Sequence, residues 1–147
     1  MKGIVLCPKE QGNTYTLCKA IVETDSRWQM QRLTGSEDID LSSFDLVVVG
    51  SGVYGGRPHT NLVHFLEGLP EKHAPKELHV LLTWVGRVHS NRTTFKYIKQ
   101  ICSDKGIAVS DTFHSCFGHS FGILWPSRPN ESDKKACIAW ATSLFEN

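Results

Sequence analysis

Three short apolar runs in this chain each break into a loop of glycine and polar residues: Gly3-Ile4-Val5-Leu6 before Pro8–Thr14, Leu46–Val49 before Gly50–Arg57, and Val80-Leu81-Leu82 before Thr83–Ser90. Apolar runs of about four to six residues alternate with longer segments of helical period, the pattern of an α/β chain built on a parallel sheet. In an open parallel sheet the carboxyl ends of the strands share one edge. Ligands bind there, at the point where strand order reverses. Three such loops therefore predict one composite site at one sheet edge.

The pattern predicts strands near 2–7, 28–33, 45–50, 78–83 and 107–113, with helices between them. Leu62, Phe65, Leu66 and Leu69 recur at i, i+3, i+4 and i+7, as do Cys137, Trp140, Ala141 and Leu144, so each set gives one apolar helix face. Asn130 followed by Asp133 predicts a capped start for the last helix. Gly106 predicts the end of the segment 91–105, with Lys105 in its final turn. The stretch between the second and third strands leaves room for only a short turn or two. A length of 147 residues with 40% apolar content suits a single domain, 1–147, with one well-buried core.

Lys and Arg total 16 against 15 Asp and Glu, a formal net charge of +1, and they form no run, so nucleic acid is a poor default partner. The five cysteines, Cys7, Cys18, Cys102, Cys116 and Cys137, have neither C-x-x-C spacing nor an even count. That argues against a zinc ribbon or a secreted disulfide framework and for free thiols in a reducing compartment. The first residues meet Pro8 and Lys9 too soon for a signal h-region, and no apolar stretch reaches the roughly 18–20 residues of a membrane span. The expected location is the cytoplasm.

In Pro8-Lys9-Glu10-Gln11-Gly12-Asn13-Thr14 a strand passes into a helix through a glycine, which leaves backbone amides free at the helix start for an anion. Asn13 and Thr14 add side-chain donors, although the same residues also cap ordinary helices. The second loop, Gly50-Ser51-Gly52-Val53-Tyr54-Gly55-Gly56-Arg57-Pro58-His59, has more glycine than a strand-to-helix turn needs. Its glycines let backbone lie against a flat ligand, and Tyr54 offers a ring to stack on it unless that ring packs inward. The third loop, Thr83-Trp84-Val85-Gly86-Arg87-Val88-His89-Ser90, sets a tryptophan to cover the other ligand face or to close the top of the core.

Other chemistries fail at named residues. A phosphatase with Cys7 as nucleophile needs arginine where Asn13 stands, and a response-regulator receiver needs acids where Cys7-Pro8-Lys9 stands. The Gly-x-Ser-x-Gly elbow of a hydrolase fails at Val49. His114, Cys116 and His119 follow the fifth predicted strand closely, but a fourth ligand is lacking, and no metal is assigned.

Taken together the loops resemble the flavodoxin family. Gly12-Asn13-Thr14 is similar to the end of its phosphate loop, and Val49 through His59 to the loop after its third strand. Lys105-Gly106-Ile107 through Phe113-His114-Ser115-Cys116-Phe117-Gly118 and Arg128-Pro129-Asn130-Glu131-Ser132-Asp133 resemble the fifth strand and last helix of short bacterial members. The resemblance implies a flavodoxin-like three-layer sandwich with a five-stranded parallel sheet in order 2-1-3-4-5. It also implies flavin mononucleotide (FMN), held noncovalently by Lys9, Gln11, Gly12, Asn13 and Thr14 at the phosphate. Ser51, Gly52, Val53, Tyr54, Gly55 and Gly56 would lie on one side of the ring and Thr83, Trp84, Val85 and Gly86 on the other.

The implied function is electron transfer through that flavin to redox partner proteins or a small electron acceptor, by a monomer or weak dimer with no membrane span. An electron carrier fits better than a substrate-specific oxidoreductase. The alternatives are a cofactor-free interaction module and an FMN-dependent reductase of a quinone or other small acceptor. Where the family usually has hydroxyl residues three and one before the loop glycine, this chain has Lys9 and Gln11, so Lys9 supplies charge that the neighbouring Glu10 partly cancels. Typical members are strongly acidic, whereas this chain sums to +1. Arg57 and Arg87 fall in the two ring loops, where positive charge would favour an anionic reduced flavin.

Overall fold

The computed structural model describes residues 1–119 and 126–146. Five strands, β1 (Gly3–Cys7), β2 (Trp28–Arg32), β3 (Leu46–Gly52), β4 (Leu78–Trp84) and β5 (Val109–Phe117), pair in parallel in the order β2-β1-β3-β4-β5. This is the expected order. Among the described residues four α-helices cover the sheet: α1 (Asn13–Thr24), α2 (Thr60–Gly68), α3 (Ser90–Asp104) and α4 (Glu131–Leu144).

The period-two pattern of the strands sorts their side chains into two cores. Ile4, Leu6, Val47, Val49, Val80 and Leu82 point to one face, where they meet Leu62, Phe65 and Leu66 of α2 and Phe95 and Ile98 of α3. Val5, Cys7, Val48, Leu81 and Cys116 point to the other, against Leu17, Cys18 and Ile21 of α1 and Cys137 and Ala141 of α4. Burying one such side chain stabilises by about 1.5–3 kcal/mol, so the alternation fixes register as well as layering. The edge strands β2 and β5 are mostly part-exposed and polar, which suits strands with an open ladder on one side. All five cysteines are free and buried.

Helix ends follow local chemistry. Asn130 Oδ1 accepts from the Asp133 amide at 3.0 Å and Asp133 Oδ2 accepts from the Asn130 amide at 2.7 Å, a reciprocal capping box. Gly106, at φ 73°, follows α3 as expected. Leu41–Ser43 forms a single 3₁₀ turn between β2 and β3, with Leu41 buried.

Boundaries differ at the ends of β3, β4, β5 and α2. β5 continues past residue 113 to Phe117 because Thr83 and Trp84 of β4 pair with Cys116 and Phe117, so His114 and Cys116 stand in the strand rather than after it. β3 runs on through Ser51 and Gly52, and β4 through Trp84, so the second and third loops begin later than the apolar runs indicate. Leu69 lies just past α2 as its cap, yet it is buried with the face it was assigned to. In each case pairing with a neighbouring strand, or packing, outweighs the local pattern.

Candidate functional site

Strand order reverses at β1 and β3, and their following loops lead to helices on opposite faces. A cavity of about 470 Å³ opens at this point, lined by Lys9, Gly12, Asn13 and Thr14 after β1, Gly52, Val53 and Tyr54 after β3, Thr83, Trp84 and Val85 of β4, and His119. That size falls within the roughly 300–1,000 Å³ of small-molecule sites.

The floor is set by the seating of α1. A Cβ on Gly50 would stand 2.8 Å from Thr14 Cγ2 and 3.1 Å from Cys18 Sγ, so only glycine lets the helix approach β3 this closely. Thr14 Oγ1 then lies 2.9 Å from Thr83 Oγ1 in a buried contact that ties the first loop to the third. Gly12 caps α1 without a side-chain hydrogen bond, and the first intrahelical bond runs from the Thr16 amide to Gly12 at 3.0 Å. The amides of Asn13, Thr14 and Tyr15 therefore have no acceptor within the helix. Asn13 Nδ2 donates to the His119 carbonyl at 3.0 Å, while Asn13 Oδ1 is buried without a partner among the described residues.

Lys9 Nζ sits 5.6 Å from the centroid of the Tyr54 ring, which is 47% exposed. Glu10 does not cancel Lys9 as the sequence order implies, because it pairs with Arg32 at the end of β2. The second loop is closed by a two-residue turn: Tyr54 and Arg57 exchange backbone hydrogen bonds of 2.8 and 3.1 Å, with Gly55 and Gly56 at φ 60° and 80°. Positive φ at both central positions makes glycine the residue of choice there. Trp84 stacks on Phe117, centroids 5.6 Å apart and planes 16° apart, and also lines the cavity.

Five residues expected at the ligand do not line this cavity. Gln11 is exposed and faces a neighbouring depression with Arg32, His59 and Asn61. Ser51 is fully buried, donating to the Gly52 carbonyl at 2.7 Å and accepting from the His59 amide at 2.8 Å. Gly55 is at the turn's exposed tip, Gly56 packs beside Thr93 of α3, and Gly86 is exposed beside Phe117. Nor do the two arginines line it, since Arg57 lies over the Tyr97 ring at 5.9 Å and Arg87 is exposed. His119 is the addition. Its only sequence signal is its place two residues past β5, at the same edge as the three loops.

His59 caps α2, its Nδ1 accepting from the Asn61 amide at 3.0 Å. Burial, aided by the nearby Lys9 charge, lowers its pKa below the usual histidine value, which keeps the accepting nitrogen free of a proton. No group of three or more His, Cys, Asp or Glu able to hold a metal occurs among the described residues. His114 stacks on Trp140, Cys116 Sγ points to the Phe117 carbonyl, and burial pushes the Cys116 thiol up to about 11. No helix among the described residues is long and apolar enough to cross a membrane.

The order 2-1-3-4-5, the helices on both faces and the cavity at the switch point define a doubly wound α/β fold. More particularly, the fold is flavodoxin-like. The chain superposes on oxidised flavodoxin 1 of Bacillus cereus with a TM-score of 0.73 at 12% identity, covering 100% of this chain and 99% of that one. It matches a Fusobacterium nucleatum flavodoxin bound to flavin mononucleotide with TM-score 0.67 at 16% identity, covering 99% and 98%. An NADPH-quinone reductase of P. pentosaceus matches with TM-score 0.64 at 12% identity, covering 95% of each. In sequence the chain is 29% identical over 119 residues to an uncharacterised protein of Methanocaldococcus jannaschii, covering 76% of both. No family model matches the chain.

Proposed function

We propose that this chain binds FMN noncovalently in the cavity at the switch point and works as a flavodoxin-like electron carrier in the cytoplasm. The observation that supports it most is the meeting, in one cavity of about 470 Å³, of an uncapped helix start and two aromatic residues from the ends of separate strands. When bound, FMN supplies the capacity to accept and release electrons. The free amides of α1 and the Lys9 ammonium would hold its phosphate. Asn13 Oδ1, buried with no partner among the described residues, is an acceptor suited to a hydroxyl of the ribityl chain. Gly52–Tyr54 and Thr83–Val85 would flank the flat ring, with Tyr54 and Trp84 adding about 0.5–1.5 kcal/mol each beyond burial.

Titration of flavin-free protein with FMN tests the reading. Saturable binding with quenched flavin fluorescence is the expected result, and no binding at high micromolar flavin overturns it in favour of a cofactor-free module. Trp84→Ala should weaken affinity by roughly twofold to tenfold. Full affinity and full quenching in that variant would confine Trp84 to its stack on Phe117 and leave the third loop a backbone role.

A further inference from the structure

No Asp or Glu occurs between Asp45 and Glu67, or between Glu77 and Asp104. These two stretches build β3, most of α2, β4 and most of α3, together with the loops at the carboxyl ends of β3 and β4. They carry Arg57, Arg87, Arg92 and Lys96, all exposed. Neither these nor Lys9 has a carboxylate partner among the described residues, whereas Lys19, Arg27, Arg32, Lys99, Arg128 and Lys134 are each ion-paired. α1, α2 and α3 all start at this edge with no acidic residue in the first turn, so the positive ends of their dipoles add to the field instead of being neutralised. Asp25, Asp45, Glu77 and Asp104 precede strands at the opposite edge, while Glu10, Glu131 and Asp133, which stand at the near edge, are paired with Arg32, Lys134 and Arg128. A net charge of +1 thus conceals a polar molecule.

A second, independent observation marks the same surface. Among the described residues the exposed large hydrophobic side chains, apart from Met1, are Tyr54, Val88 and Tyr97, and Val88 is 90% exposed. The turn at Gly55 and Gly56 lies along the start of α3, with Gly56 against Thr93 and Arg57 over Tyr97. Val88 has φ 22°, unfavourable for a β-branched residue, and its neighbour His89 has φ 57°. The backbone therefore holds Val88 out in solvent at a cost. Apolar side chains ringed by cations are the anatomy of a protein interface, with an apolar centre and a polar rim.

We propose that this surface, at the mouth of the cavity, docks an acidic protein that exchanges electrons with the chain. The redox role of that partner rests on the flavin reading above; its acidity rests on the charges and exposed side chains alone. Cations around an apolar centre favour a protein over a nucleic acid, which would make little use of Val88 and needs a track of phosphate contacts. Complementary charge would speed encounter and orient the partner toward Tyr54 and Lys9, which border the cavity.

Binding can be measured on the full chain with and without FMN, by calorimetry, using a strongly acidic ferredoxin as probe. Basic cytochrome c and a single-stranded oligonucleotide serve as counter-probes. The expected result is ferredoxin binding that weakens from low to physiological salt, where the screening length is about 8 Å. It should also fall on the order of tenfold or more in Arg57→Glu/Arg87→Glu/Arg92→Glu. The neutralised Arg57→Gln/Arg87→Gln/Arg92→Gln should show a smaller loss, and Lys72→Glu/Lys76→Glu, at the far edge, no loss. Preference for cytochrome c or the oligonucleotide, equal loss in the Lys72/Lys76 variant, or no ferredoxin binding at low salt overturns the proposal. Docking without FMN uptake would refute the flavin reading alone, and FMN uptake without docking would refute this one alone.

Discussion

The helices that start after Gly12 and Asn130 begin with opposite chemistry. α4 closes its own start: Asn130 and Asp133 cap each other, Glu131 and Asp133 supply negative charge, and Arg128 Nη2 bonds Asp133 at 2.6 Å. α1 does none of this, with a glycine cap, no acid in its first turn and an Asn13 Oδ1 that has no partner among the described residues. A capped start contributes stability and has nothing left to offer a ligand. An uncapped start, held in place by packing further along the helix, keeps its amides and its dipole available. The first belongs to the scaffold and the second to the site.

Gly50→Val should break the comparison most severely. The new side chain would strike Thr14 and Cys18 and push α1 off β3, costing about 1–3 kcal/mol and more than tenfold in FMN affinity. Denaturant unfolding together with flavin titration would read both. A variant with normal affinity would show that the position of α1 on the sheet does not shape the site.

Asn130→Ala sharpens the contrast from the other side. Loss of this cap should cost about 1 kcal/mol of stability while FMN affinity stays unchanged. A fall in affinity comparable to that of Gly50→Val would mean that α4 and α1 are coupled through the face they share.

The smallest effect concerns α2, whose cap is the His59 imidazole. Burial, with Lys9 nearby, lowers the His59 pKa, and burial lowers those of His79 and His114 against the opposing pull of Glu77 and Asp133. For a lowered folded-state pKa the unfolded chain binds more protons, so stability is full above the unfolded value near 6.5 and declines as pH falls through it toward the folded values. Melting temperature should therefore be flat above neutrality and drop below about pH 6.5. His59→Asn, a cap that does not titrate, should make that drop shallower, and an unchanged slope would assign the effect to His79 and His114.

Periodicity and punctuation made much of the molecule legible beforehand. Short apolar runs located the strands, the 62–69 and 137–144 stripes named the buried helix faces, and Asn130 with Asp133 marked a cap that is present in both directions. These are local properties, settled within a few residues by sterics and hydrogen bonding. The resemblance of the loops supplied the strand order and the edge at which they converge.

Tertiary structure decided which loop residues face the cavity. Ser51, Gly55, Gly56 and Gly86 share loops with lining residues yet turn to the interior, to α3 or to solvent, and Gln11 faces a different depression. His119 joins them from a distant part of the chain. Arg32 removes Glu10 from Lys9 because β2 lies beside β1, a proximity that sequence distance hides. The clustering of unpaired cations around Val88 and Tyr97 has the same origin. Sequence by itself determined which segments become strands and helices and that loops with free amides and aromatic rings exist; the fold alone determined which side chains meet, since that depends on contacts between residues far apart in the chain.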